Sequence, residues 1–90
     1  MASTNEELQQ LNKEVVELYQ NKEYSEAIAK GVQALNLGKQ KLGLNHPSTA
    51  TAVNNLALLY DRVGDHIKAE SLHQWNQQLW TNNSWKAQAV

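Results

Sequence analysis

Hydrophobic residues recur every three or four positions along most of this 90-residue chain. This spacing places them on one face of an α-helix. The first such stripe runs from Leu8 to Leu18, and Ser3 or Thr4 precedes it as a candidate helix cap. The pattern predicts a first helix that ends near Asn21, where a short polar turn follows.

A second helix is predicted to start at Ser25 or just before it. Its inner positions include the small residues Ala27, Gly31 and Ala34, which form a flat strip that another helix can approach closely. Glycine inside a helix costs about 1 kcal/mol relative to alanine, so we expect Gly31 to be there for close packing against the first helix. Gly43 suits a left-handed helix stop.

Two further helices follow this stop. Pro47 fits the first turn of a helix because its φ angle is already helical and its missing N–H needs no partner. The third helix has an apolar stripe up to Tyr60 and ends before Gly64, and Asp65 can cap a fourth helix that begins near His66. The apolar contacts expected of the fourth helix are Ile67, Ala69, Leu72, Trp75 and Leu79.

Composition supports an all-α chain and does not point to any class of enzyme. Proline occurs once and cysteine not at all, which excludes disulfides and thiol chemistry. A net charge of −1 argues against binding to nucleic acid or anionic lipid. No apolar run reaches the ~18 residues of a membrane span, and the N-terminus does not resemble a secretory signal. A cytoplasmic location is the default expectation.

The histidines are the main candidates for a metal site, and their spacing is unfavourable. His66 and His73 share a helix face but lie two turns apart, ~10 Å at 1.5 Å per residue. His46 belongs more naturally to the start of the third helix. No phosphate-binding loop or nucleophile motif is present, so we expect no enzyme activity, cofactor or metal. A metal-dependent enzyme stays only as a remote alternative.

The same helix-turn-helix sequence pattern occurs twice. Ala27 and Ala69 occupy matching places 42 residues apart. This period predicts a single domain with one repeat over about residues 5–44, a second over about 45–80, and a tail at 81–90. A repeated helix pair implies a stack, since each pair buries its apolar face against the next.

The second repeat resembles the tetratricopeptide repeat, in the 42-residue form found in kinesin light chains. The residues that carry the resemblance are Leu42-Gly43, His46-Pro47, Ala50, Asn54-Asn55-Leu56-Ala57, Leu59-Tyr60, Gly64-Asp65 and Ala69-Glu70. Val53 and His66 depart mildly from the pattern, and Lys22 replaces the turn glycine of the first repeat. The resemblance implies two antiparallel helix pairs in a short right-handed solenoid, acting as a protein–protein interaction module.

In such a stack the first helix of each pair lines a shallow groove that holds a peptide or a helix. The groove positions that the resemblance implies are Gln9, Asn12, Lys13, Val16, Gln20, Thr51, Asn54, Asn55, Leu58, Asp61 and Arg62. Asn55 stands where these grooves use an amide to bond an extended backbone; alternatively, it bonds only within the stack. The grouped cations of a carboxylate clamp are absent, so a terminal carboxylate is not the expected ligand.

The tryptophans Trp75, Trp80 and Trp85 raise an alternative function. Two repeats leave apolar surface at both ends of a stack. Self-association through Trp75, Leu79 and Trp80, as a dimer or by helix exchange, would cover one end and make the chain a self-assembling structural module. Equally, these side chains can close the core as a cap.

Overall fold

A computed structural model describes residues 3–82, which form four α-helices joined by short turns. These are α1 (Thr4–Gln20), α2 (Tyr24–Lys41), α3 (Pro47–Arg62) and α4 (His66–Asn82). This part of the chain contains no strand, so the all-α prediction is confirmed. The fourth helix runs two residues past the expected end of the second repeat at residue 80. The rest of the expected tail, with Trp85, lies outside the described residues.

Side chains cap α1 and α3 where the sequence predicts that these helices start. The Ser3 hydroxyl accepts the backbone N–H of Glu6 at 3.1 Å, at the start of α1. The His46 imidazole accepts the N–H of Ser48 at 3.1 Å, immediately before α3. These bonds satisfy amide groups that have no partner inside their own helix. His46 therefore has a structural role at a helix start.

The two tight turns inside the helix pairs have matching hydrogen bonds 42 residues apart. The N–H of Glu23 bonds the carbonyl of Leu18, and the N–H of Asp65 bonds that of Tyr60, both at 2.9 Å. Each turn needs one residue with a positive φ angle. Gly64 provides it in the second repeat at 86°, whereas Lys22 provides it in the first at 63°. A side chain at positive φ is strained, since its Cβ approaches the following carbonyl oxygen.

Substituting Lys22→Gly should therefore raise the free energy of unfolding, by about 0.5–1 kcal/mol after the higher chain entropy of glycine is subtracted. The reverse substitution at the equivalent position, Gly64→Lys, should lower it by a similar amount. A Cβ at Gly64 would meet no atom within 4 Å, so the loss would be conformational. Urea denaturation of both variants measures these changes. A destabilised Lys22→Gly would contradict the strain.

Pairs of contacts define the directions of the helices. Tyr19 stacks edge-to-face on Tyr24 across the first turn, and Glu14 pairs with Lys30 farther from it, so α1 and α2 are antiparallel. Contacts between α1 and α3 advance together along both helices instead. Asn5 bonds Ser48 near their beginnings, and Tyr19 bonds Arg62 near their ends. Helices α1 and α3 are therefore parallel neighbours.

Small residues allow the helices to approach closely, as the sequence suggests. Ala27, Ala57 and Ala69 are all fully buried. Gly31 is also buried, but the expectation that it packs on the first helix is wrong. A Cβ at Gly31 would lie 2.7 Å from Cδ2 of Leu56, so this glycine opens space for α3 and joins the two repeats.

A second close approach, which the sequence analysis missed, lies nearby. A Cβ at Gly38 would come within 2.5 Å of Oγ1 of Thr49, which is fully buried. Two glycines of α2, seven residues apart, therefore receive side chains of α3. Helix propensity alone gives no reason for glycine at either position, because alanine is the more favourable residue inside a helix.

Ile67 also differs from expectation. We expected it among the first apolar contacts of the fourth helix, but its side chain is 84% exposed. Ala69 and Leu79 are buried instead, and Leu72 is half-buried. Ile67 lies in the first turn of α4 and lines a surface depression with Leu56 and Tyr60 of α3 instead of entering the core.

Candidate functional site

A small apolar pocket lies between the parallel helices α1 and α3. It has a volume of about 220 Å³. Its lining comes from both repeats: Val15, Val16, Tyr19 and Gln20 from α1, and Asn55, Leu58 and Leu59 from α3. The structure thus brings together four of the predicted groove residues, which are Val16, Gln20, Asn55 and Leu58.

The pocket has a buried floor and exposed apolar walls. Val15 and Leu59 are almost completely buried, and they also pack on Ala27 within the core. Val16 and Leu58, one from each helix, remain 42% and 41% exposed. Covering such side chains is favourable, by about 25 cal/mol for each Å² of apolar surface removed from water.

Asn55 places an unsatisfied amide in this apolar wall. Its Nδ2 is buried, and no hydrogen-bond partner lies within the described residues. A buried donor without a partner costs about 1–3 kcal/mol. The alternative is that Asn55 forms a hydrogen bond only within the stack. Its amide nitrogen forms no such bond within the described residues.

Arg62 and Tyr19 form the end of the groove. The Nε–H of Arg62 donates to the Tyr19 hydroxyl at 2.7 Å, and the guanidinium carbon lies 5.6 Å from the Tyr19 ring centroid. This bond raises the pKa of Arg62 further above its already high value. Arg62 does not line the pocket itself but is fixed beside it through Tyr19.

Asn12 is not a groove residue, contrary to expectation. Its side chain is only 7% exposed, and its Nδ2 donates to the backbone carbonyl of Ser48 at 3.1 Å. The Ser48 hydroxyl in turn donates to Oδ1 of Asn5 at 2.8 Å. Two asparagines of α1 therefore hold the first turn of α3, because the parallel helices meet there.

The remaining predicted positions are dispersed. Lys13 and Gln9 line a wider depression of about 750 Å³ between α1 and α2, with Gln33 and several charged side chains. That depression is larger but is open and polar. The Thr51 hydroxyl donates to the carbonyl of Pro47, and Asn54 accepts a bond from Asn76 of α4. None of these four predicted residues lines the apolar pocket.

Asp61 faces the fourth helix instead of the groove. Its two carboxylate oxygens lie 2.8 Å from Nε2 of His73 and 3.3 Å from Nδ1 of His66. Hydrogen bonds from His73 and then His66 lower the pKa of Asp61. Helix spacing predicts that the two histidines lie too far apart to share one metal ion, and it gives no sign of the Asp61 carboxylate that lies between them. No group of three such side chains in residues 3–82 is placed to hold a metal ion.

The predicted self-association residues pack against their own chain. Leu79 is 7% exposed and lies in a core cluster with Ala50 and Val53, against which Trp75 and Trp80 also pack. The indole N–H of Trp80 donates to Oδ1 of Asn76 at 3.1 Å. This arrangement matches the capping alternative. Self-association through these residues stays a prediction.

Three residues that line the pocket were not among the predicted groove positions: Val15, Tyr19 and Leu59. Tyr19 is the one of these that also holds Arg62. Its position three residues after Val16 was the available signal, since residues at that spacing share a helix face. Its hydroxyl role depends on Arg62, which is 43 residues away in the sequence.

Comparison with known proteins supplies one match. A family model described as tetratricopeptide repeat matches residues 15–75, a span that includes every residue lining the pocket. Searches of curated proteins and of solved structures gave no match. None of the four described helices combines the length and apolar character that crossing a bilayer requires.

Proposed function

The chain belongs to the tetratricopeptide repeat family, and on that premise we propose that it binds a partner protein through the groove between α1 and α3. Repeats of this family are not enzymes and generally mediate protein–protein interactions. The ligand in this proposal is a peptide segment or helix that places one large apolar side chain in the pocket.

One observation carries the proposal: the pocket combines exposed apolar walls with a buried amide donor that has no partner. Val16 and Leu58 gain from losing water contact. Asn55 gains a hydrogen bond when its amide turns toward a backbone carbonyl of the ligand. A partner backbone provides that carbonyl whatever its sequence.

We also propose that both repeats are of the 42-residue, kinesin-light-chain-like type. The spacing between Ala27 and Ala69 supports this, as do the matching turn hydrogen bonds ending at Glu23 and Asp65. In that arrangement the first helix of each repeat, α1 and α3, faces the ligand.

A charge placed in the pocket tests the proposal. Peptides are first selected from a displayed random library on the wild-type protein. Leu58→Glu should then weaken their binding at least about tenfold, because the carboxylate resists burial against an apolar side chain. Ile67→Glu also replaces an exposed aliphatic side chain with glutamate, but outside the groove. It should change the affinity for these peptides by no more than about twofold.

Thermal melts of both variants check that each remains folded. Equal loss of binding in the two variants would contradict the proposal, as would full binding by Leu58→Glu. Failure of the wild-type selection to enrich any apolar side chain would also count against it.

A further inference from the structure

A second apolar groove lies between α2 and α4. Both helices pack on α3 but not closely on each other, and the gap between them has a volume of about 330 Å³. Its floor is formed by Leu56 and Tyr60 of α3, and its walls include Val32 of α2 and Leu72 of α4. Of the described residues, none lines both this α2–α4 groove and the pocket between α1 and α3. The two are therefore separate surfaces.

Ile67 stands at the rim of the α2–α4 groove as an uncovered aliphatic side chain. It belongs to the lining, yet it is 84% exposed, more than any other large apolar side chain in residues 3–82. Val32, on the opposite wall, is also exposed. A single exposed hydrophobic residue is common on protein surfaces. Exposed aliphatic residues on both walls of one apolar groove instead indicate a contact surface.

This surface carries both halves of a contact: a projecting side chain and an apolar space that can receive one. Because Ile67 stands beside the groove, one two-fold rotation can place Ile67 of each copy in the groove of the other. Such a contact closes with two molecules, whereas a projection and a groove on distant surfaces would build an open chain. The shape therefore favours a second copy of the chain as the occupant.

The charges around Ile67 favour the same occupant. Asp65 and Lys68 flank it in the sequence, and their charged groups lie 3.8 Å apart. The Lys68 ammonium also lies 5.3 Å from the centroid of the Tyr60 ring in the groove floor. A two-fold axis between acid and base brings Lys68 of each copy toward Asp65 of the other. Opposite charges then meet on both sides of the contact, which is the arrangement that complementary interfaces use.

We infer that the α2–α4 groove is a homodimer interface in which Ile67 of each copy enters the groove of the other. Eight residues line the groove, whereas a stable interface has about 20–30 on each side. The dimer is therefore weak and forms reversibly at high protein concentration. It does not depend on the proposed peptide binding, because it uses a different surface. Two peptide-binding pockets in one dimer would add avidity for a partner with two binding segments.

Methyl NMR of the full chain over a dilution series tests the inference, because the sequence has two isoleucines, Ile28 and Ile67. We expect the δ1-methyl signal of Ile67 to shift between about 10 μM and 1 mM, the range of a weak interface. Ile28 packs against the core cluster of Val15, Ala27 and Leu59, so its signal should stay fixed. Sedimentation equilibrium should show the average mass rising toward twice that of the monomer. A monomer throughout this range would overturn the inference.

A charge at the rim of the groove should abolish the dimer. Ile67→Glu should raise the dissociation constant at least about tenfold, because a carboxylate resists burial in an apolar groove. An acid in the first turn of a helix is favourable, and a thermal melt checks that the variant is folded. Leu58→Glu, the matched change in the pocket between α1 and α3, should dimerise like wild type. A dimer that survives Ile67→Glu but is lost in Leu58→Glu or Trp80→Ala would refute the assignment.

Reversing the charge of Lys68 tests the pairing across the two-fold axis. Lys68→Glu leaves only acids at this part of the contact, so that like charges from the two copies face each other. The dissociation constant of the dimer should rise about fivefold or more. Lys41→Glu makes the same reversal at the end of α2, outside the lining of the groove, and should have a smaller effect. Equal effects of the two reversals would contradict the two-fold arrangement.

The absence of cysteine from the chain allows the contact to be trapped. A mixture of Ile67→Cys and Val32→Cys should form a mixed disulfide under mild oxidation, because the two positions meet across the interface. One Ile67 and one complete groove remain in that mixed dimer. Gln78→Cys mixed with Val32→Cys is the control, since Gln78 lies on another surface of α4, beside Gln74. Equal rates of disulfide formation in the two mixtures would rule out the proposed contact.

Peptide binding separates this inference from the proposed function. Ile67→Glu should be a monomer that binds the selected peptides like wild type, and Leu58→Glu a dimer that does not bind them. Dimerisation of a wild-type protein that selects no peptide would contradict the proposed function alone. Peptide binding by a wild-type protein that stays monomeric would overturn the dimer alone.

Discussion

Truncating Leu56 to alanine should lower the free energy of unfolding by about 2–5 kcal/mol, the range for a large-to-small change in a core. Leu56 is 2% exposed and fills the space that Gly31 leaves open. The contact joins α2 of the first repeat to α3 of the second, so the cavity would lie at the junction of the two repeats. A small domain has about 5–15 kcal/mol of stability in total.

The same substitution two positions later is the matched control. Leu58→Ala removes the same atoms from the same helix, but Leu58 is 41% exposed and lies in the wall of the groove. Its effect on unfolding should be below about 1 kcal/mol. Urea denaturation followed by circular dichroism measures both. Similar losses from the two variants would contradict the placement of Leu56 at the junction.

Asn55→Leu should separate binding from stability. We expect affinity for the peptides selected on wild type to fall about tenfold or more, because the ligand backbone loses its amide partner in the groove. The free energy of unfolding should stay equal or rise by about 1 kcal/mol, since the substitution removes a buried donor that has no partner in the described structure. Calorimetric titration and urea denaturation measure the two effects.

The adjacent asparagine provides the control for this experiment. Asn54 faces α4, where its Oδ1 accepts a bond from Asn76 at 3.4 Å. Asn54→Leu should keep the peptide affinity, while any change should appear in stability. Retained binding in Asn55→Leu, or equal binding losses at the two positions, would contradict the assignment of Asn55 to the groove.

The sequence predicts the helices of this fold well because their ends follow local rules. Ser3, His46-Pro47 and Gly64 each begin or end a helix through contacts with residues four or fewer positions away. The apolar period then identifies the buried face of each helix. Both signals are contained in short windows of sequence, so no knowledge of the packing is required.

The neighbours of each helix are harder to predict because they depend on how the helices cross. Periodicity placed Gly31 on a buried face but not against Leu56, and it placed Ile67 on a face that remains exposed. Rotating a helix by one residue position is enough to cause an error such as the one at Ile67. The turn at Lys22 was identified by position alone, and the strain there is visible only in its φ angle.

The candidate site was predictable only in part for the same reason. The resemblance to the family placed Val16, Asn55 and Leu58 on one groove, and the structure groups them. It could not separate them from Asn12, which has the same side chain as Asn55 but is buried and bonds the first turn of α3. The bond between Tyr19 and Arg62 joins residues of different repeats, so no local pattern reports it.

We propose above all that a partner segment binds between α1 and α3. The most direct measurement is a heteronuclear NMR titration of the labelled protein with a peptide selected on wild type. We predict that the largest shifts occur at the methyl groups of Val16 and Leu58 and at the side-chain amide of Asn55, while Ile67 stays unchanged. Shifts concentrated around Ile67 and Leu72, with the groove residues unmoved, would contradict the account.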